Sequence, residues 1–167
     1  MKIVSALLAV LILAMSGMVS AAPLTTQDYV EIQQLYARYN HAIDSGNAEE
    51  WADTFTADGV FNNRFTGREA LIGFIKTWKE RMNGANRRHW NSNLSLRGTT
   101  EAVTGAVYLM LMDIGVKPAA VISTGMYADE LVKTADGWRF KSRLVKPDSP
   151  PAAAPVAQPG TAPVKEK

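Results

Sequence analysis

Residues 87–96, with the sequence RRHWNSNLSL, carry the side chains best suited to chemistry, because one of only two histidines in the chain stands near their start. The run alternates as a β-strand does, so His89, Asn91, Asn93 and Ser95 are predicted to share one face. If that face looks into a closed cavity, these polar side chains form a site. If it faces water, they are an ordinary exposed surface.

A neutral histidine is a competent general base near neutral pH, since the imidazole group ordinarily titrates at a pH of about 6.5. A carboxylate on its other ring nitrogen fixes the tautomer and stabilises the imidazolium that forms when the ring takes up a proton. With a leaving group on the neighbouring carbon, such a pair carries out an elimination; without one, it isomerises its substrate. Asn91, Asn93 or a tyrosine hydroxyl could donate to a developing oxyanion.

The composition of the chain excludes several other chemistries. There is no cysteine, which rules out thiol catalysis, disulfides and cysteine-ligated zinc. The two histidines, His41 and His89, lie on different predicted elements and form no ligand cluster, so we expect neither a metal nor another cofactor. The formal net charge of +2 comes partly from lysines near the termini, and the folded part has no basic excess to suggest a nucleic-acid partner.

The first half of the chain is predicted to contain three helices. Residues 25–43 have apolar side chains at spacings of three and four, which is typical of a helix with one buried face. A second, short helix is predicted over residues 48–55 and a third over residues 68–79. Between them we expect a turn at Asp58-Gly59 and a short strand over residues 60–62.

Four long strands are predicted after the helices, at residues 88–96, 102–112, 119–132 and 138–145. Turn-forming segments separate them, which favours a meander of antiparallel strands. Helices first and strands afterwards indicate an α+β fold, with three N-terminal helices packed on one face of a curved antiparallel sheet.

The two ends of the chain are predicted to lie outside this fold. Residues 1–21 are typical of a signal peptide, with Lys2, an apolar run and small residues suited to cleavage between Ala21 and Ala22. A retained membrane anchor is the alternative, but the apolar run is short and interrupted. We therefore expect a periplasmic or secreted protein that meets the membrane only through this peptide. Residues 148–167 are rich in proline and alanine and are expected to form a disordered tail.

Three local patterns resemble the SnoaL-like families of the nuclear transport factor 2-like superfamily: LYARYNHAIDSGNAEEWADTFTADGVF, RRHWNSNL and STGMYADELVKTADGWRF. With the order of elements, the resemblance extends over about residues 24–147, so that the SnoaL-like domain is expected over residues 22–147. It implies a cone-shaped α+β barrel whose curved sheet and helices enclose one pocket. Such domains frequently dimerise through the outer sheet face, so a homodimer is also expected.

Within that superfamily the sequence is most similar to the group of scytalone dehydratase and γ-hexachlorocyclohexane dehydrochlorinase. Those enzymes use an aspartate at the end of the first helix to orient a histidine, which abstracts a proton beside a leaving group. The two positions match Asp44 and His89, and an asparagine, Asn93, follows four residues later. The steroid isomerases carry a catalytic aspartate on the first strand, where this chain has Asn62 and Asn63, so the resemblance does not extend to their chemistry.

The resemblance therefore implies His89 as the base and Asp44 as its orienting partner. The side chains expected to bind substrate are Tyr39, Asn93, Tyr127 and Arg143. The function expected is that of an exported, cofactor-independent lyase or isomerase of the dehydratase or dehydrohalogenase type, acting on a small, mostly apolar substrate. The alternative is a non-catalytic ligand-binding module of the same fold, in which His89 is a buried structural residue and Asp44 ends the first helix.

Overall fold

The computed structural model describes residues 22–82 and 86–148. The predicted signal peptide and the tail from residue 149 onward lie outside the described residues. Within them, no helix is both long and apolar enough to cross a membrane.

The helices and strands follow the predicted order, with one additional strand. In chain order they are α1 Thr26–Ser45, α2 Ala48–Ala52, β1 Phe55–Phe61, β2 Phe65–Thr66, α3 Arg68–Met82, β3 Arg87–Gly98, β4 Ala102–Asp113, β5 Ala120–Thr134 and β6 Gly137–Pro147. The strands form one sheet in the order β2-β1-β6-β5-β4-β3, in which only β1 and β6 run parallel. The predicted α+β fold is confirmed: the sheet is curved and unclosed, and the helices belong to the N-terminal half.

Helix α1 is fixed at both ends by its sequence. Thr25 and Asp28 form a capping box, in which each side chain accepts from the backbone N–H of the other residue. Gly46 ends the helix in the left-handed conformation, with φ of 69°. One face of the helix is buried against the sheet, through Ile32, Leu35, Tyr36, Tyr39, Ala42 and Ile43.

The chain after α2 differs from the prediction. Helix α2 ends at Ala52, and the predicted turn at Asp58-Gly59 lies inside β1. The pairing of β1 with β6 is irregular between Phe55 and Val60, where β1 has more residues than its partner. Phe55 and Phe61 are both buried in the core, whereas Ala57 and Asp58 between them are exposed, so the extra residues form a bulge and β1 continues as a strand.

The predicted polar face of β3 is interrupted by a β-bulge. Just before Ser95, β3 has one residue more than β4, and Asn93 adopts a left-handed φ of 58°. His89 is buried and Asn91 half-buried, whereas Asn93 and Ser95 are exposed. The prediction that these four side chains share one face is therefore wrong. Beyond the bulge, the side chains that pack against the core are apolar, namely Leu94 and Leu96.

Gly105 on β4 leaves room for a hydroxyl group in the core. A Cβ atom at Gly105 would lie 2.6 Å from the hydroxyl of Tyr36, which donates a hydrogen bond to Asp129. We expect Gly105→Ala to lower the free energy of unfolding by about 1–3 kcal/mol, because it displaces this buried hydrogen bond. Gly73→Ala is the control, since Gly73 is helical with nothing near its Cβ position, and should stabilise by about 0.5–1 kcal/mol. Urea unfolding measures both; a stabilising effect of Gly105→Ala would contradict the expectation.

The buried carboxylate of Asp28 makes stability depend on acid pH. Lys133 Nζ lies 2.7 Å from it, and this contact, together with Thr25 and the Trp138 indole, holds the pKa of Asp28 well below its usual range. The stabilisation is present above the unfolded pKa of about 4 and is lost as the pH falls toward the folded value. We expect Asp28→Asn to cost about 1–3 kcal/mol at pH 7 and to weaken the loss of stability in acid.

Glu31→Gln is the control for Asp28→Asn, because Glu31 meets the same Lys133 at 3.8 Å from a partly exposed position. It should change stability by less than about 1 kcal/mol. Thermal unfolding between pH 7 and pH 2 measures both variants, and an equal effect of the two would contradict a special role for Asp28.

Candidate active site

A cavity of about 380 Å³ lies between the inner face of the sheet and α3. Its wall is mostly apolar and aromatic, through Phe61, Phe74, Trp78, Met82, Leu109, Leu111 and Val145. The polar side chains in the lining are few: Asn62, Arg81, His89, Ser123 and Tyr127. A concave, largely apolar pocket with a few polar groups is the usual form of a small-molecule site.

The end of α1 brings Asp44 to His89 at this cavity. The Asp44 carboxylate lies 2.6 Å from His89 Nδ1 and also accepts the backbone N–H of His89, at 3.1 and 3.2 Å. Both side chains are withdrawn from water, with exposed fractions of 13% for Asp44 and 4% for His89. Asp44 is not the residue that ends the helix. The Ser45 hydroxyl donates to the backbone carbonyl groups of His41 and Ala42, and Gly46 ends the helix in the left-handed conformation.

This contact sets the orientation and tautomer of the histidine. A carboxylate can only accept a hydrogen bond, so in the neutral ring Nδ1 carries the proton and Nε2 carries the lone pair. Nε2 has no hydrogen-bond partner among the described residues, and the His89 ring lines the cavity with its centre 6.3 Å from that of Trp78. The geometry thus provides a ring nitrogen able to accept a proton beside an apolar pocket.

Tyr127 is the tyrosine in the lining of the same cavity. Burial raises the pKa of Tyr127 well above its ordinary value, so its phenol stays protonated. Burial likewise raises the pKa of Tyr39. Tyr39, however, does not line the cavity, and its ring lies behind that of Tyr127, with 5.7 Å between the two ring centres.

Arg143 lies behind the cavity wall instead of in it. Its side chain is fully buried and donates two hydrogen bonds to Asp129, at 2.8 and 2.7 Å. The guanidinium carbon lies 4.1 Å from the ring centres of both Tyr39 and Tyr127. The structure therefore does not bring Arg143 to the cavity as a substrate-binding residue, because the neighbouring strand supplies a carboxylate that engages it.

Asn93 also lies away from the cavity. The bulge in β3 turns it outward, where it borders a separate groove beside α1. Asn91, on the His89 side of the bulge, accepts a hydrogen bond from Asn40 of α1 at 2.7 Å. Of the six residues predicted for the site, the structure thus brings together Asp44, His89 and Tyr127.

Sequence reasoning missed Arg81, the one arginine in the cavity lining. The sequence pattern predicts that helix α3 ends at residue 79, but the helix continues to Met82. Extending the apolar stripe of Phe74 and Trp78 by another three or four residues would have reached Arg81 and Met82.

Asn62 differs from the catalytic aspartate of the steroid isomerases, yet it lines the cavity and its side chain accepts the backbone N–H of Val145 at 2.8 Å.

The fold and the cavity define a class of α+β domain with one ligand pocket between sheet and helices, and the described residues hold no cluster of metal-binding side chains. Residues 25–144 match the family model for the SnoaL-like domain, and the chain belongs to this family. The expected membership of a SnoaL-like family is confirmed. The narrower similarity to scytalone dehydratase and the dehydrochlorinase stays a prediction.

Solved structures of similar proteins have the same fold. One from Catenulispora acidiphila, in complex with S-DNPA, is 36% identical with a TM-score of 0.67, over 74% of this chain and 96% of that chain. ActVI-ORFA from Streptomyces coelicolor is 25% identical with a TM-score of 0.68, over 75% and 98% of the two chains. An uncharacterized protein of Mycobacterium tuberculosis is 29% identical over 133 residues, which cover 77% of this chain and 89% of that protein.

Proposed function

We propose that the chain is a cofactor-independent lyase or isomerase in which His89 is the general base and Asp44 its orienting partner. The observation that carries the proposal is the 2.6 Å contact between Asp44 and His89 Nδ1, which leaves Nε2 outside that contact in a residue that lines a cavity of about 380 Å³. A base must lie within reach of the proton it removes, and a substrate in this cavity meets that condition. The carboxylate stabilises the imidazolium that forms.

The reaction can be written from the groups in the lining. Nε2 of His89 takes a proton from a carbon atom next to a carbonyl group, and the electron pair moves onto the carbonyl oxygen as an enolate. The neutral Tyr127 hydroxyl donates to that oxygen. The enolate then expels halide from the adjacent carbon, with the proton passing from Nε2 to solvent, or expels a hydroxyl group that takes the proton from Nε2 and leaves as water. Alternatively, a conjugated enolate takes the proton from Nε2 at a different carbon. The first outcome is an elimination and the second is an isomerisation.

The cavity restricts the substrate to a small, mostly apolar compound. Its lining contains Phe61, Phe74 and Trp78 together with aliphatic side chains, which favour an apolar or aromatic skeleton. Arg81 in the same lining suits a partly negative substituent. The complex of the Catenulispora acidiphila protein with S-DNPA supports a ligand in this fold.

Solvent-deuterium exchange tests the proposal on a range of candidate substrates. The protein is incubated in deuterated buffer with a panel of small aromatic and alicyclic ketones, some of which carry a β-hydroxyl or β-halide group. Mass spectrometry then follows deuterium uptake at the carbon next to the carbonyl and loss of the leaving group. We expect exchange or elimination for compounds that bind. Binding without either reaction would favour the ligand-binding module and overturn the proposed chemistry.

Export remains a proposal, based on the signal-peptide pattern of residues 1–21. When the full sequence is expressed in a bacterial host with a periplasm, we expect a periplasmic product whose N-terminus is Ala22. An uncleaved product in the membrane fraction would instead indicate a retained anchor.

A further inference from the structure

The outer face of the sheet carries two large aromatic side chains that nothing in the described chain covers. Trp90 on β3 is 54% exposed and Tyr108 on β4 is 56% exposed. His89 precedes Trp90 and Leu109 follows Tyr108, and both line the cavity, so the two aromatic side chains project from the opposite face. The register pairs Trp90 with Met110 and Ser92 with Tyr108, which makes the two aromatic residues diagonal neighbours.

These four residues border a groove of about 510 Å³, here called the outer groove. The rings of Trp90 and Tyr108 and the thioether of Met110 form apolar walls. The hydroxyl of Ser92 adds a polar group to them. Grooves lined with aromatic residues are the surfaces that bind proline-rich segments in the polyproline II conformation. Such segments need apolar walls for their rings and a donor for their unpaired carbonyl groups.

The described chain ends beside this groove. Strand β6 finishes at Pro147, and the backbone N–H of Asp148 donates to Thr124 of β5 at 3.1 Å. Thr124 is the register partner of Met110, which is in turn the partner of Trp90. Asp148, Thr124, Met110 and Trp90 therefore lie side by side across the sheet. The described chain ends three strands away from Trp90.

We propose that residues 149–159, SPPAAAPVAQP, bind in the outer groove of their own chain. Three strand spacings of about 4.8 Å amount to about 14 Å, which five residues of polyproline II span at about 3.1 Å each. Pro150 and Pro151 then reach the edge of the groove, and Ala153 reaches the row of Trp90, with Pro155 just beyond it. Covalent attachment gives the segment an effective concentration of about millimolar, which favours it over an unlinked partner.

Tryptophan fluorescence tests the proposal directly. The chain from Ala22 to Lys167 is compared with one that stops after Asp148, because the described fold is contained in residues 22–148. Trp51 and Trp138 are buried and Trp78 is partly buried, so quenching by acrylamide reports mainly on Trp90. We expect the tail to lower the quenching constant by roughly half, because a docked proline segment covers about one face of the indole ring. Trp90→Phe should abolish this difference between the two lengths.

A spin label identifies the segment that covers the groove. Because the chain has no cysteine, Ala154→Cys accepts a single nitroxide. We expect the label to broaden the NMR signals of Trp90 and Met110. In the double variant with Tyr108→Ala and Trp90→Ala, the broadening at Met110 should be lost. A label introduced by Asp136→Cys, in the β5–β6 turn, is the control for non-specific contact. Broadening that is absent, or that persists in the double variant, overturns the proposal.

A second copy of the chain is the competing occupant of the groove. A mixture of spin-labelled chains with isotope-labelled, unmodified chains shows broadening only if the contact is between molecules. Light scattering gives the mass at the same concentration. A dimer that is lost on replacing Trp90 and Tyr108, or broadening between chains, would overturn the assignment to the tail and support the predicted homodimer through the outer sheet face.

Discussion

Replacement of His89 by glutamine is expected to lower the turnover of any substrate found by about 10²- to 10⁴-fold, because it removes the general base and leaves the cavity wall in place. Asp44→Asn should have an effect of similar size for a different reason. The carboxylate of Asp44 accepts from both the backbone N–H and Nδ1 of His89. An amide that keeps the first bond presents its NH₂ group to Nδ1, which moves the ring proton to Nε2.

The controls for these variants lie outside the cavity. His41→Gln changes the only other histidine, which is exposed on α1, and Asp53→Asn changes an exposed aspartate beside α2. Both should keep full activity. Thermal unfolding shows whether each variant is folded, and the pH profile of the wild-type rate should show one group that must be deprotonated. Full activity of His89→Gln and Asp44→Asn in folded protein would contradict the proposed mechanism.

Asp129→Ala is expected to have the largest effect on stability, about 3–5 kcal/mol. The side chains of Asp129 and Arg143 are both fully buried, and the two residues are register partners on β5 and β6. Removal of the carboxylate leaves a buried guanidinium group without a counter-charge. Tyr36 also loses the acceptor of its buried hydroxyl group. The free energy of unfolding is measured in urea.

Two further variants separate the cost of a broken ion pair from the value of the pair itself. Asp58→Asn breaks an exposed contact with Lys141, at an aspartate whose side chain is 70% exposed, and should leave the free energy of unfolding nearly unchanged. The double variant Asp129→Leu with Arg143→Met removes both buried charges and should recover most of the loss. If Asp129→Ala and Asp58→Asn cost the same, the buried pair has no special role in stability.

The fold could be predicted because the apolar pattern of the sequence matches the period of each element. In α1 the apolar residues recur every three or four positions, and in the strands after residue 87 apolar and polar residues alternate. Burial of one face of a helix or strand requires these spacings. The β-bulges in β1 and β3 could not be predicted in this way. A bulge forms where one strand has more residues than its partner between the same two paired positions. Which positions pair is decided by the assembly of the whole sheet and not by the local sequence.

The contact between Asp44 and His89 could be predicted from the sequence, but the position of Arg143 could not. Asp44 and His89 could be paired because both positions match a known pattern and lie at element ends. Arg143 was expected in the pocket, because nothing local in its strand shows that Asp129 pairs with it. A signal did exist: Tyr127, Asp129 and Leu131 alternate on one strand, so that a charged residue between two apolar ones must be buried with a counter-charge.

The parallel pairing of β1 with β6 has a consequence for how the chain folds. It joins the first strand to the last: the side chain of Asn62, just after β1, binds the backbone of Val145, 83 positions further along the chain. Contacts this distant are costly to form early, so a high contact order should make folding slow. A chain that is still being synthesised cannot complete its sheet until β6 has emerged. The cavity wall that includes both Asn62 and Val145 therefore forms only after the last strand has been synthesised.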